Sequence, residues 1–201
     1  KSFKGALPIK GAREIEPNLR KLTNFAIKNG IAIVNTADWH TPESKEFSDN
    51  PDFKTTFPLH CLQNTKGAMH VPATRDFIDC SFDWKDDWYD KKVAFEMLPE
   101  AKSILIYKDD FDVFKGNPYT DKILKILRPT IAVVYGVATN VCVNYAVLGL
   151  LKRKIKVYAV MDAMKELPGC EVNVITGKWI NCGVMFVITR NINDVVEFNR
   201  K

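Results

Sequence analysis

Short apolar, β-branched runs recur in this chain at 31–36, 103–107, 130–135, 155–161 and 184–189, and helical patterns fall among them at 13–28, 120–127, 141–152 and about 172–180. That alternation predicts an α/β fold with a parallel sheet covered by helices, because parallel strands need a crossover connection and a helix is the usual one. The clearest run is Pro129 to Tyr135, apolar without alternation, as expected of a strand buried on both faces. Gly136 relaxes the turn that follows, and Thr139 or Asn140 is placed to cap the next helix. In open α/β sheets ligands bind beyond the carboxyl ends of the strands, so the residues just past each run carry the most information.

A length of 201 residues with 46% hydrophobic content suits one globular domain spanning 1–201. The stretch 41–99 breaks the pattern, being rich in Pro, Asp, Lys and aromatics, and an insertion of that size usually carries function. Five cysteines, odd in number and with no C-x-x-C pair, argue against a disulfide framework or a cysteine zinc site and fit a reducing cytosol. No apolar run approaches the roughly 20 residues of a membrane span, and no signal peptide is visible. The net charge of +5 is spread through the chain among 24 acidic residues, which argues against nucleic-acid binding.

Three strand ends deliver chemistry. The first leads to Asp38-Trp39-His40, where two ligand-type side chains stand two apart on extended chain and so share a direction. His60, in Pro58-Leu59-His60-Cys61, adds a second imidazole from the insertion. Together they make a two-histidine, one-carboxylate set suited to a divalent ion such as Zn, Fe or Mn. Glu46, Asp49 and Asp52 are all candidates for a fourth ligand, and His70 has no partner in sequence and reads as structural. The second strand end carries Lys108. The third leads to Cys142 in the first turn of a helix, where backbone N–H groups and the dipole favour a thiolate.

These segments, Phe3-x-Gly5-Ala6-Leu7-Pro8, Asp38-Trp39-His40, Phe57-Pro58-Leu59-His60-Cys61, Lys108 and Gly136-Val137-Ala138-Thr139-Asn140-Val141-Cys142, resemble the isochorismatase-like cysteine hydrolases. Within that family, the D-W-H and F-P-L-H-C segments are similar to those of the metal-containing nicotinamidases (pyrazinamidases). The resemblance implies a three-layer αβα fold around a mostly parallel, six-stranded Rossmann-like sheet. It also implies hydrolysis of nicotinamide to nicotinate and ammonia, with Cys142 attacking the carboxamide carbon and Lys108 favouring its thiolate. The N–H groups of Ala138 and Cys142 would form the oxyanion hole, with a cis peptide at Val137-Ala138. One divalent metal on Asp38, His40 and His60 would orient the pyridine ring, and Phe3, Phe57 and Phe114 would line the substrate pocket.

The chain departs from the family pattern in two segments. Phe57 stands where nicotinamidases often carry tryptophan, and Lys108-Asp109-Asp110-Phe111-Asp112-Val113-Phe114 replaces the usual tyrosine, serine and small residue. Asp109, Asp110 and Asp112 read as a solvated loop. The family's general-base aspartate would fall upstream of Lys1, together with a first strand expected near the middle of the sheet. The resemblance further suggests a homo-oligomer acting in the cytoplasm in NAD salvage. Two other readings remain beside it: a related cysteine hydrolase of another small amide or ureide, and a catalytically impaired ligand-binding homologue.

Overall fold

The computed structural model describes residues 5–75, 78–168 and 172–199, so Phe3 lies outside the described residues. In chain order the elements are α1 (Ala12–Lys28), β1 (Ile33–Asp38), α2 (Pro72–Arg75), β2 (Cys80–Phe82), α3 (Trp88–Met97), β3 (Ser103–Lys108), α4 (Val113–Gly116) and α5 (Thr120–Leu127). There follow β4 (Ile131–Val137), a π-helical turn at Thr139–Val143, α6 (Asn144–Lys152), β5 (Lys156–Lys165), α7 (Val172–Asn181), β6 (Met185–Val187) and α8 (Ile192–Asn199). The fold is α/β, and every strand pairing among the described residues is parallel.

The described strands form two three-stranded sheets rather than the single six-stranded sheet expected. Each sheet belongs to its own compact unit, residues 5–8 and 30–128 in one and 9–29 and 129–199 in the other. In the first unit the order is β1-β3-β2, with β3 in the middle and buried along nearly its whole length. Phe82, Leu98, Ile104, Ile106 and Ile123 close its core, packing α3 and α5 against the strands. Removing a side chain of that size from water contributes about 1.5–3 kcal/mol each. β2 is a three-residue strand with no periodicity to announce it, held by its pairing with β3.

In the second unit β5 is the middle strand, between β4 and β6. Val147, Val157, Ala159 and Trp179 form its core, and the Trp179 indole N–H donates to Asn144 Oδ1 at 2.9 Å. β4, expected to be buried on both faces, is half-buried over most of its length because it is the edge strand of this sheet among the described residues. It pairs with β5 as far as Val137↔Lys165, past a register shift between Val134 and Gly136. Gly136 sits at φ 125°, a conformation that favours glycine, so the bend there depends on its lack of a side chain. Among the described residues no helix is long and apolar enough to cross a membrane.

Candidate functional site

The first unit builds its site from the register of β1 on β3. Asp38 pairs with Lys108 across the two strands, and residues in register on parallel neighbours project to the same face. Their side chains accordingly meet in an ion pair, and the Lys108 Nζ also donates to the Asp110 carbonyl at 2.9 Å. Lys108 is 2% exposed, so it is a buried cation rather than a solvated surface lysine. Burial opposes ionisation of Asp38, but the charge and hydrogen bond of Lys108, followed by the two histidines, hold its carboxyl below the usual range.

Pairing with β3 continues one residue further, Trp39 N–H donating to the Lys108 carbonyl at 2.9 Å. His40 then switches partners: its N–H donates to the Cys61 carbonyl at 3.1 Å and its carbonyl accepts from Gln63 N–H at 2.9 Å. This short parallel bridge brings the His60 segment of the insertion against His40, with imidazole centroids 4.9 Å apart. One donor atom each from Asp38, His40 and His60 lies within 4.8 Å of the other two.

The hydrogen bonds select which nitrogens face the cluster. His60 Nδ1 lies 2.8 Å from the Pro58 carbonyl, so Nδ1 is the protonated nitrogen and Nε2 keeps its lone pair. Burial is the main cause that lowers the His60 pKa, which keeps the ring in its neutral, metal-ligating form. His40 is fully buried, its Nδ1 is 2.5 Å from Asp109 Oδ1, and its Nε2 is buried without a hydrogen-bond partner among the described residues. Glu46 Oε2 stands 3.6 Å from that Nε2, and Glu46 Oε1 is likewise buried and unpartnered. Burial, with Asp38 next, pushes the Glu46 carboxyl up to about 8. Unpartnered buried polar atoms are costly, and a divalent cation is the group that these donors fit.

Glu46 is therefore the member of the three fourth-ligand candidates that reaches the cluster. It is held there by its carbonyl, which accepts from Phe57 N–H at 2.7 Å. Asp49 is exposed. Asp52 is spent on its own turn, accepting from the N–H groups of Lys54, Thr55 and Thr56, bonds that pull its carboxyl well below the usual range. His70 has a buried Nε2 and lies 3.4 Å from Thr74 Oγ1.

Phe57 is 2% exposed and packs edge-on against Phe53, His60 and Phe111, with centroids 5.6–6.3 Å apart. Phe114 packs partly buried against the core of the first unit. The run 109–112 is not the solvated loop expected. Asp109 bonds His40, the Asp110 carbonyl bonds Lys108, and Asp112 caps α4 by accepting from Phe114 N–H at 3.0 Å.

In the second unit, Cys142 is half-buried and lies in the π-helical turn rather than in the first turn of α6. The peptide bond Val137-Ala138 is cis. The Ala138 carbonyl accepts from Val141 N–H at 3.0 Å and from Val143 N–H at 3.2 Å, which winds this segment. Neither Thr139 nor Asn140 caps it. The Asn140 side chain instead clamps Leu167, donating to its carbonyl at 3.0 Å and accepting from its N–H at 2.9 Å. Thr139 is buried.

Comparison with known proteins follows the same lines. The family model described as Isochorismatase domain matches residues 3–171. Among solved structures, a pyrazinamidase of Pyrococcus horikoshii in complex with zinc is 25% identical, with 92% of this chain and 90% of that chain covered at a TM-score of 0.70. A pyrazinamidase/nicotinamidase from Streptococcus mutans is 21% identical, with 89% and 87% covered and a TM-score of 0.66. An N-carbamoylsarcosine amidase from Thermoplasma acidophilum is 16% identical, with 89% and 84% covered and a TM-score of 0.65. No curated protein matches the chain.

Proposed function

Because this chain belongs to the isochorismatase family, we propose that it is a metal-containing cysteine amidohydrolase that converts nicotinamide to nicotinate and ammonia. The observation that carries this reading is the cluster of half-buried Asp38 with buried His40 and His60, in which both rings have Nδ1 engaged and Nε2 available. Glu46 is its fourth, flanking member. A divalent ion held there, zinc, iron or manganese, would supply a Lewis acid for the pyridine nitrogen of the substrate.

Chemistry at the carboxamide falls to Cys142. Its Sγ attacks the amide carbon, the C–N bond breaks, and the amide NH2 leaves as ammonia, taking up the proton that the thiol gave up. Water then hydrolyses the thioester to nicotinate and restores the thiol. The N–H groups of Ala138 and Cys142 are assigned to the developing oxyanion. To Lys108 this reading assigns the role that the resemblance implies, favouring the thiolate of Cys142. A cytosolic place in pyridine-nucleotide salvage goes with this reading.

A second reading, hydrolysis of another small amide or ureide, is favoured by Phe57. That ring is expected to stack on a pyridine, yet it is closed off by Phe53, His60 and Phe111. Ammonia release from nicotinamide by the full chain, beside Cys142→Ala and a chelator-treated sample, tests both. Release that is lost in the variant and with chelator is the expected result. A folded, zinc-loaded chain that releases none sinks the nicotinamidase reading and moves the weight to the second or to a ligand-binding role.

A further inference from the structure

We propose that Asp109 is the positioning residue of the metal centre, holding His40 as its Nδ1–H tautomer so that Nε2 presents a lone pair to the cation. The inference rests on the metal reading above. A histidine ligates through one nitrogen only if the other carries the proton, and the hydrogen bond made by that other nitrogen decides which it is. For His60 the acceptor is the backbone carbonyl of Pro58. Among the described residues no backbone carbonyl takes that place at His40. Asp109 Oδ1 stands 2.5 Å from its Nδ1, and the Ser44 hydroxyl, 3.2 Å from the same nitrogen, donates to Asp109 Oδ1 at 2.8 Å. In a fully buried residue such as His40 no water competes for that bond.

The rest of the loop is arranged to keep Asp109 there. Its N–H donates to the Gly116 carbonyl at 3.2 Å, bringing the end of α4 onto the turn. That approach needs glycine, since a Cβ at 116 would lie 2.7 Å from Asp110 N and 3.1 Å from Asp109 N. Asp110 Oδ1 accepts from Asp112 N–H at 2.8 Å, so its carboxylate is turned to the loop itself, while Asp112 caps α4. Of the three loop carboxylates, Asp109 is the one that bonds a ligand of the proposed centre among the described residues.

The test is zinc affinity by competition with a chromophoric chelator, using the full chain as wild type, Asp109→Asn and Asp109→Ala, with far-UV circular dichroism to verify folding. Loss of an outer-shell partner of this kind weakens metal binding about 10–100-fold, and that loss is expected for Asp109→Ala. Asp109→Asn, which keeps shape and an acceptor oxygen, should fall between it and wild type. Long-range ¹H–¹⁵N correlation of the histidine rings in the zinc-loaded wild type should show His40 bound through Nε2 with its Nδ1 proton retained. Equal zinc affinity in wild type and both variants, or zinc on His40 Nδ1, overturns the role of Asp109. A wild type that takes up no zinc overturns the metal reading itself, and this inference with it.

Discussion

Replacing Lys108 by Met isolates the electrostatic term on which the first unit depends. Methionine approximates the volume of the lysine stem, so the change removes the ammonium while leaving packing largely intact. What remains is Asp38, whose side chain is 22% exposed, without the cation that offsets its burial. Breaking a buried ion pair by deleting one partner costs about 3–5 kcal/mol, and the partial exposure of Asp38 puts this case near about 3 kcal/mol. For a chain of this size that corresponds to a midpoint lower by about 6–12 °C. The sign with pH follows from the depressed Asp38 carboxyl. Its stabilising contribution is present above the unfolded pKa of about 4 and is lost as pH falls through the lower folded value. In Lys108→Met burial instead raises that carboxyl, so protonation relieves the variant earlier. Denaturation in chelator-containing buffer should show the gap between wild type and variant widest near neutral pH and closing below about pH 4. Adding Asp38→Asn to the variant should recover most of the loss, because it removes the unpaired charge. A gap that is absent at pH 7, that does not change with pH, or that Asp38→Asn leaves untouched refutes the reasoning.

Two further substitutions follow from the geometry. Gly116→Ala drives a methyl into the backbone of Asp110 and should cost about 1–3 kcal/mol in chemical denaturation, with the amides of the 109–112 turn exchanging faster with solvent. Asn140→Ala removes both bonds to Leu167 and leaves the Leu167 N–H and carbonyl without that side chain. It should cost about 1–3 kcal/mol and raise hydrogen exchange at Leu167, whereas a pure helix cap would leave Leu167 unchanged.

Much of the architecture is legible in local pattern. The run at 103–107 is β3 to within a residue, the helix at 120–127 is α5, and 13–28 is α1 to within one, because their periodicity reports burial directly. The grouping of Asp38, His40 and His60 is legible too, since Asp38 and His40 stand two apart on extended chain and share a direction. Pairing partners decide the rest. β1 runs over 33–38 rather than 31–36, because hydrogen bonding begins where Ile33 meets Ser103 on β3. β5 continues to Lys165 because β4 pairs with it beyond the bulge. β2 has three residues and exists only as a partner of β3.

By itself the sequence determined the fold class, the chemical types at three strand ends and the family, all properties of residues near one another in the chain or of motifs taken whole. Tertiary structure alone decided which carboxylate does what. Asp38 lies 70 positions from Lys108 and His40 lies 69 from Asp109, and no local pattern distinguishes Asp109 from Asp110 or Asp112. The same holds for Glu46 over Asp49 and Asp52. A carboxylate's role is set by the donor or cation within about 3 Å of it and by how far water is excluded, and both come into being only when distant segments pack.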